Sequence, residues 1–471
     1  MMIAAEKGHD NIVQILVQAG AKLDIQDKDD HTFFHICAAY GQPDIIKMVI
    51  GIVPESVSLL QQNDQFDNTP LHLAAEKGQT EAVRELLEEE YGVDIDNKNE
   101  DERTPCHLAA RNGHVDILKL IIKKDSFAIF DKDEDDNTPL HMAAKQKQAE
   151  AVEFLLSQGA SVHKRNSKSW TALDCAAAAG CYDSAVLLLN HDSPVDPLDR
   201  KNITPLHLSA MFGHDKITQL LLDHDADLEL ENDIGMNALE LAIFHQNKKC
   251  VEVILENRNW RLAMKSINNG YTDRGEIIPN TPLRMLIRNY PDLVENVFDK
   301  CIKTTPSTIE MDFEFIDDTF TMKKTINKKT GRPRYYHVEL SEENMTPYDE
   351  TGTLTMINHP LMLMVNEKQK ILLKHPLCLA LLRRKWKSIG RIVFYSQFYI
   401  YLLFMIFLTA HILYKLNSKT FPDESNHSEF LTQCGLTNDP TEQGLQVMVI
   451  FFTVLNIIIE ISQIIRVKYF Y

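Results

Sequence analysis

Along the first half of the chain, apolar residues come in short helical bursts separated by polar, turn-rich stretches. Leu71, Ala74 and Ala75 follow Thr69-Pro70 and stop before Gly78. Ala82, Val83, Leu86 and Leu87 then recur at helical spacing. Pro fixes φ at a helix's first turn, and Gly ends a helix in a left-handed cap, so the pattern predicts a helix, a tight turn and a second helix. The Ala pair lets the two helices approach closely. Acidic connecting stretches lead to the next copy. From residue 261 the pattern changes, and the chain closes on two long apolar runs at 392–414 and 444–465.

The unit repeats. Thr69-Pro70-Leu71-His72 returns as Thr104-Pro105-Cys106-His107, Thr138-Pro139-Leu140-His141 and Thr204-Pro205-Leu206-His207. Weaker copies start at Thr32, Thr171 and Asn237. The starts at 32, 69, 104, 138, 171, 204 and 237 lie 37, 35, 34, 33, 33 and 33 residues apart. This period and block resemble the ankyrin repeat. The resemblance implies a solenoid over 1–260, because no such unit buries its apolar face alone. The first copy, Ala4-Ala5-Glu6-Lys7-Gly8-His9, is the middle of a unit, so the chain is expected to be a piece of a longer one.

Within the repeats, chemistry-bearing motifs fail. Asp131–Asp136 is too irregular for a calcium loop: its sixth position is Asp136, not Gly, and its twelfth is Met142, not Glu. The recurring His72, His107, His141 and His207 are expected to tie loop backbone together rather than to hold metal. Nothing resembles a phosphate-binding Gly loop or a nucleophilic triad, so neither an enzyme nor a cofactor is expected.

Residues 261–375 form a linker. Met311–Ile316 and Tyr336–Leu340 alternate and predict strands, with Asn327–Pro333 as the turn between them. The basic tip, from Lys323 to Arg334, suits an anionic lipid or polyphosphate, or simply solvent. His-Pro occurs at 359–360 and 375–376, and predicts a helix–turn–helix from Pro360 to Trp386. Cys378 then falls in a helical first turn, where the dipole favours a thiolate. The alternative is that Cys378 packs with Leu377, Leu381 and Leu382. The stretch 376–391 is a basic helix.

The runs 392–414 and 444–465 are long enough for a hydrocarbon core of about 30 Å and predict two membrane spans. Ser396, Gln397, Thr409 and His411 interrupt the first, as in a helix that has neighbours. Glu460 near the end of the second is either a functional intramembrane group or an interfacial partner of Arg466 or Lys468. Positive charge before the first span and in 466–471 places both ends in the cytoplasm. The loop 415–443 is then outside, with Asn426-His427-Ser428 as a glycosylation acceptor pattern.

Charge and cysteine usage narrow the classes. The 471 residues carry a net charge of −18, which disfavours nucleic acid as a partner. Eight cysteines lie without CxxC pairs, arguing against zinc or a disulfide scaffold.

The repeat stack, the strand-containing linker, His375-Pro376-Leu377-Cys378, Lys385-Trp386 and Phe244–Lys249 through Asn259-Trp260 together resemble the ankyrin-type transient receptor potential (TRPA) cation channels. The resemblance implies a mostly α protein: repeat solenoid, α+β linker, then the first two of six spans. It implies a homotetramer in a plasma membrane, conducting cations such as calcium and sodium, contacting membrane lipid and gated by noxious, thermal or chemical stimuli. Linker cysteines are the family's electrophile sensors, and Cys378 matches one of them. Two further sensor positions fall on Thr281 and Leu293, and Cys301 lies nearby. A membrane-bound ankyrin-repeat acyltransferase needs an Asp-His-His-Cys segment that the sequence lacks. A membrane-anchored adaptor, with a protein partner on its repeat face, is the other rival.

Overall fold

The computed structural model describes residues 1–271, 277–305, 308–317, 322–326, 333–337, 359–385, 387 and 391–420. The chain divides into two units, Met1–Ser266 and Ile267–Tyr471.

The first unit is a stack of helix pairs. They are α1 (Met2–Glu6) with α2 (Asp10–Gln18), α3 (Phe33–Ala39) with α4 (Pro43–Ile52), and α5 (Pro70–Lys77) with α6 (Thr80–Leu86). Next come α7 (Pro105–Asn112) with α8 (Val115–Lys124), and α9 (Pro139–Lys145) with α10 (Ala149–Ser157). Then follow α11 (Ala172–Ala179) with α12 (Tyr182–Asn190), α13 (Pro205–Phe212) with α14 (Asp215–Asp223), and α15 (Ala238–Phe244) with α16 (Lys248–Glu256). The short α17 (Trp260–Met264) follows the last pair. Successive first helices pack on one another, as do successive second helices. The core is the sum of these seams, and the paired alanines such as Ala109 and Ala110 are fully buried in it.

The Thr-Pro-Leu-His block explains itself in atoms. The Thr104 N–H and hydroxyl both meet Nδ1 of His107, at 3.2 and 3.0 Å. Nε2 then carries the proton and donates to the Asn137 carbonyl of the next repeat at 3.0 Å. His35, His72 and His141 make the same bridge to Asn68, Arg103 and Trp170. The imidazoles are structural, as their repeated position implied. Burial pushes His72, His107 and His207 down to about 4, so they stand neutral. Gly78 closes α5 at φ 77°, where a Cβ would lie 2.6 Å from Cε1 of His114. Only a residue without a side chain fits there.

The acidic connector 131–136 is more than a solvated loop. Asp133 is buried, and its Oδ1 accepts the N–H groups of Asp135 and Asn137 at 3.0 and 2.7 Å. Asp64 and Asp199 do the same in their own loops. These carboxylates hold the tip turns, a local side-chain-to-backbone pattern favoured by Asp.

The second unit begins with a ribbon of β1 (Asn268–Tyr271) and β2 (Ile277–Asn280), antiparallel with Asn268 opposite Asn280. Helices α18 (Pro282–Asn289) and α19 (Pro291–Lys300) follow. Next, β3 (Ile302–Thr304) pairs with β4 (Ile309–Met311), and β5 (Met322–Ile326) with β6 (Pro333–His337), both antiparallel. The strand expected over Met311–Ile316 is corrected: β4 ends at Met311. The Ile316 and Asp317 N–H groups both return to the Phe313 carbonyl, at 3.2 and 2.9 Å, closing a turn that buries Ile316. A turn and a strand can both place alternate residues inward, and here the turn won. The expected strand partner survives in part as β6, which pairs with β5 rather than with 311–316; residues 338–340 lie outside the described residues.

The expected helix–turn–helix is three short helices: α20 (Pro360–Asn366), α21 (Lys370–Lys374) and α22 (Pro376–Lys385). Then comes α23 (Arg391–Thr420), 30 residues long. Among the described residues, no helix is long and apolar enough to cross a membrane, so the structure does not by itself show the span expected over 392–414. The polar positions Ser396, Gln397, Thr409 and His411 fall within α23 and lower its apolar content. The second expected span, 444–465, lies outside the described residues.

Candidate functional site in the linker

In the second unit, two copies of His-Pro-Leu build one device twice. At the start of α20, Nδ1 of His359 accepts the Leu361 N–H at 3.2 Å. At the start of α22, Nδ1 of His375 accepts the Leu377 N–H at 3.3 Å. Pro at the next position removes one donor, and the imidazole caps another that the helix leaves unpaired. With Nδ1 accepting, the proton of each neutral ring sits on Nε2.

Each Nε2 faces a carboxylate from earlier in the linker. His375 donates to Asp299 of α19 at 3.0 Å, and its ring lies 5.4 Å from that of Phe298. His359 stands 3.5 Å from Oδ1 of Asp317, the residue that ends the Phe313 turn. The same oxygen accepts from Lys385 at the far end of α22 at 2.8 Å. Lys385 also lies 3.4 Å from Nε2 of His359, so one carboxylate holds the start of α20 and the end of α22 together. Arg384, next to Lys385, stands over the Phe313 ring at 6.0 Å.

The cysteines lie inside this framework. Cys378 occupies the first turn of α22 and is 0% exposed, between buried Leu377 and Leu381. The helix dipole argued for a lowered pKa, but burial raises the thiol to about 12. In this packing burial favours the protonated form of the Cys378 thiol. Cys301 caps the end of α19, is 3% exposed, and its carbonyl accepts the Asp312 N–H at 2.9 Å. Thr281 and Leu293, where the resemblance placed further sensors, are the buried N-cap of α18 and a buried residue of α19. Arg284 is also fully buried in α18, with Nη1 donating to Thr281 Oγ1 at 3.0 Å. Asn426 and Glu460 lie outside the described residues.

We expect alkylation of Cys378 at pH 7 to be at least about tenfold slower than that of an exposed thiol. Mass-spectrometric iodoacetamide labelling measures it. Labelling as fast as a free thiol would show that α22 does not rest in this packing.

Sequence reasoning missed Asp317, Asp299 and Lys385 as partners of the two histidines. The repeated His-Pro was visible, but its carboxylates stand 42 and 76 residues away. Among the described residues, the group with metal-like geometry is Asp27, Asp29 and His31, far from the linker in sequence. Oδ1 of Asp27 is already engaged as a turn acceptor for the Asp29 and His31 N–H groups, at 2.9 Å each.

The stacked helix pairs, imidazole bridges and left-handed caps define a repeat solenoid. The family model "Ankyrin repeats (3 copies)" matches over residues 1–99, 50–133, 91–166, 127–199 and 173–263, and the chain belongs to the ankyrin-repeat family. Over its whole length it is 25% identical to a Caenorhabditis elegans protein, "Transient receptor potential cation channel subfamily A member 1 homolog". It is 26% identical, over 99% of its length, to human "Transient receptor potential cation channel subfamily A member 1". The chain spans 35% and 40% of the length of these two relatives.

Proposed function

We propose that this chain is part of a cation-channel subunit. Its repeat stack and linker form a cytoplasmic arm, and α23 is the first membrane span. The observation that carries the reading is the likeness to two cation channels along the whole chain, running through the linker and α23 as well as the repeats. Ankyrin repeats alone are shared by many unrelated functions; a match that continues past them is more specific.

Several features support the membrane part. At about 1.5 Å per residue a helix of this length reaches about 45 Å, more than the bilayer core. Many of its described apolar side chains, among them Phe394, Leu403, Ile406 and Leu413, are exposed. An exposed apolar surface of this kind needs lipid or partner helices around it. The Thr409 hydroxyl donates to the Met405 carbonyl at 2.6 Å, which removes the cost of an unpaired hydroxyl in lipid. The cationic end of α22 lies just before it, as positive-inside orientation requires.

In this reading the subunits are four around a common pore and pass cations such as calcium and sodium. The Asp317 junction couples linker to membrane: it ties α20 to the end of α22, immediately before α23. Cys378 and Cys301 serve as electrophile-sensing positions only after the linker opens, since both are buried at rest. The stimulus acts by shifting the population towards that opened state.

Whole-cell recording from cells expressing the complete open reading frame that encodes this chain tests the reading. Stimulus-evoked cation current is expected, with the stimulus–response curve displaced in Asp317→Asn. Surface-expressed protein that carries no current under electrophile, heat or pressure would overturn it in favour of an adaptor.

A further inference from the structure

The imidazole bridge is not made in every repeat: Nε2 of His207 reaches no partner among the described residues, and the repeats starting at Thr171 and Asn237 carry Asp174 and Glu240 in the histidine position. At Thr171-Ala172-Leu173-Asp174 a carboxylate stands where the flanking repeats have histidine. It serves the inner half of the role: Oδ2 accepts the Thr171 N–H and hydroxyl, both at 2.8 Å. The outer half is left undone. Asp174 is 1% exposed, and its Oδ1 reaches no donor among the described residues. In the four preceding copies the outer ring nitrogen donates to the carbonyl just before the next repeat's threonine: Asn68, Arg103, Asn137 and Trp170. The corresponding carbonyl for Asp174 is that of Ile203. An ionised carboxylate offers it no proton and leaves a buried oxygen unpaired. A neutral carboxyl carries an O–H in its place.

We propose that Asp174 is a proton-controlled weak point in the stack, closing the seam between the repeats that start at Thr171 and Thr204 when protonated and loosening it when ionised. Burial raises its carboxyl to about 7, within reach of ordinary cellular pH. The charged groups around it pull in opposite directions: Asp199 raises it and Arg165 lowers it. Cys175, beside it on α11, is held protonated by burial. On the helices packed against α11, α9 and α13 carry His141 and His207 at the same cap position, both pushed down by burial and neutral. On α12 the ionisable groups are Tyr182, exposed, and Asp183 in the first turn. Lys145 at the end of α9 and Lys168 act on the neighbouring Cys175, while the cation felt at Asp174 itself is Arg165.

The sign follows from linkage. The folded carboxyl titrates higher than the unfolded one, so its contribution is fully present below about 3.8 and is lost as pH rises through about 7. Between pH 6 and pH 8 the closed seam should lose about tenfold against its opened form, and little more above pH 8. The histidine bridges behave oppositely, weakening as pH falls below about 6.5.

Hydrogen exchange on the full chain in lipid nanodiscs, from pH 6 to pH 8, tests this after correction for intrinsic exchange. Amides of α11 and α13 should lose about tenfold in protection in the native protein. Asp174→Asn keeps an acceptor for Thr171 and places an amide donor at the seam; its protection should be flat over this range and higher than native at pH 8. Asp174→His, the residue the flanking repeats use, should behave likewise and guards against a failure specific to Asn. Equal pH profiles in native protein and both variants would overturn the proposal. So would variants less protected than native at pH 8.

Discussion

Replacing His107 by alanine will destabilise the middle of the repeat stack by about 4 kcal/mol. The imidazole is fully buried and joins Thr104 of its own repeat to the Asn137 carbonyl of the next. Alanine strands the Thr104 N–H and hydroxyl in a dry seam, each unsatisfied group costing about 1–3 kcal/mol, and leaves the Asn137 carbonyl only the Asp133 N–H at 3.0 Å. The void left by the ring adds to this. Partial relaxation and water entry bring the sum down. Because repeats contact only their neighbours, the damage should centre on α7 and α9 and fade towards both ends. Hydrogen exchange resolved by helix measures it. A loss below about 1 kcal/mol, or one spread evenly over the stack, would show that the ring does not join the repeats.

The second large effect concerns α23. Ile406→Asp is expected to cost about 4 kcal/mol of membrane insertion, from an apolar gain of about 0.5 turned into a penalty of about 3.5 at mid-helix. Ile406 is 54% exposed, so no packed core confuses the reading. Asn426 supplies the reporter. If 392–414 spans and 415–443 is outside, translation into microsomes should give a glycan-dependent mass shift that Asn426→Gln removes. Ile406→Asp should abolish most of it. An unshifted native chain, or an Ile406→Asp chain still fully shifted, would leave α23 outside the membrane reading.

The repeats were legible because their signals are local. Thr, Pro, His and Gly sit within one helix and its caps, and the same few atoms decide each copy. Even the structural role of the histidines could be read from their recurrence. The linker was less legible because its organising contacts are long-range. Asp317, Lys385 and His359 carry no common local motif, and Met311–Ile316 alternates equally well as a strand or as the turn it forms. Cys378 shows the same limit. Its place in a helical first turn was readable and argued for a thiolate, but the apolar burial that reverses the pKa is a property of packing. Asp174 was visible as a weak copy of the block, yet its unpaired oxygen appears only when the neighbouring bridges can be laid beside it.

Consider the stack under mechanical load. Its seams act in series, so a force applied along it is carried equally by every junction, and extension collects where stiffness is least. Four junctions are pinned by an imidazole reaching the following carbonyl; those at Asp174 and His207 are not. Strain along this solenoid would therefore collect in the last third of the coil, from Thr171 onward, rather than be shared as in a uniform spring.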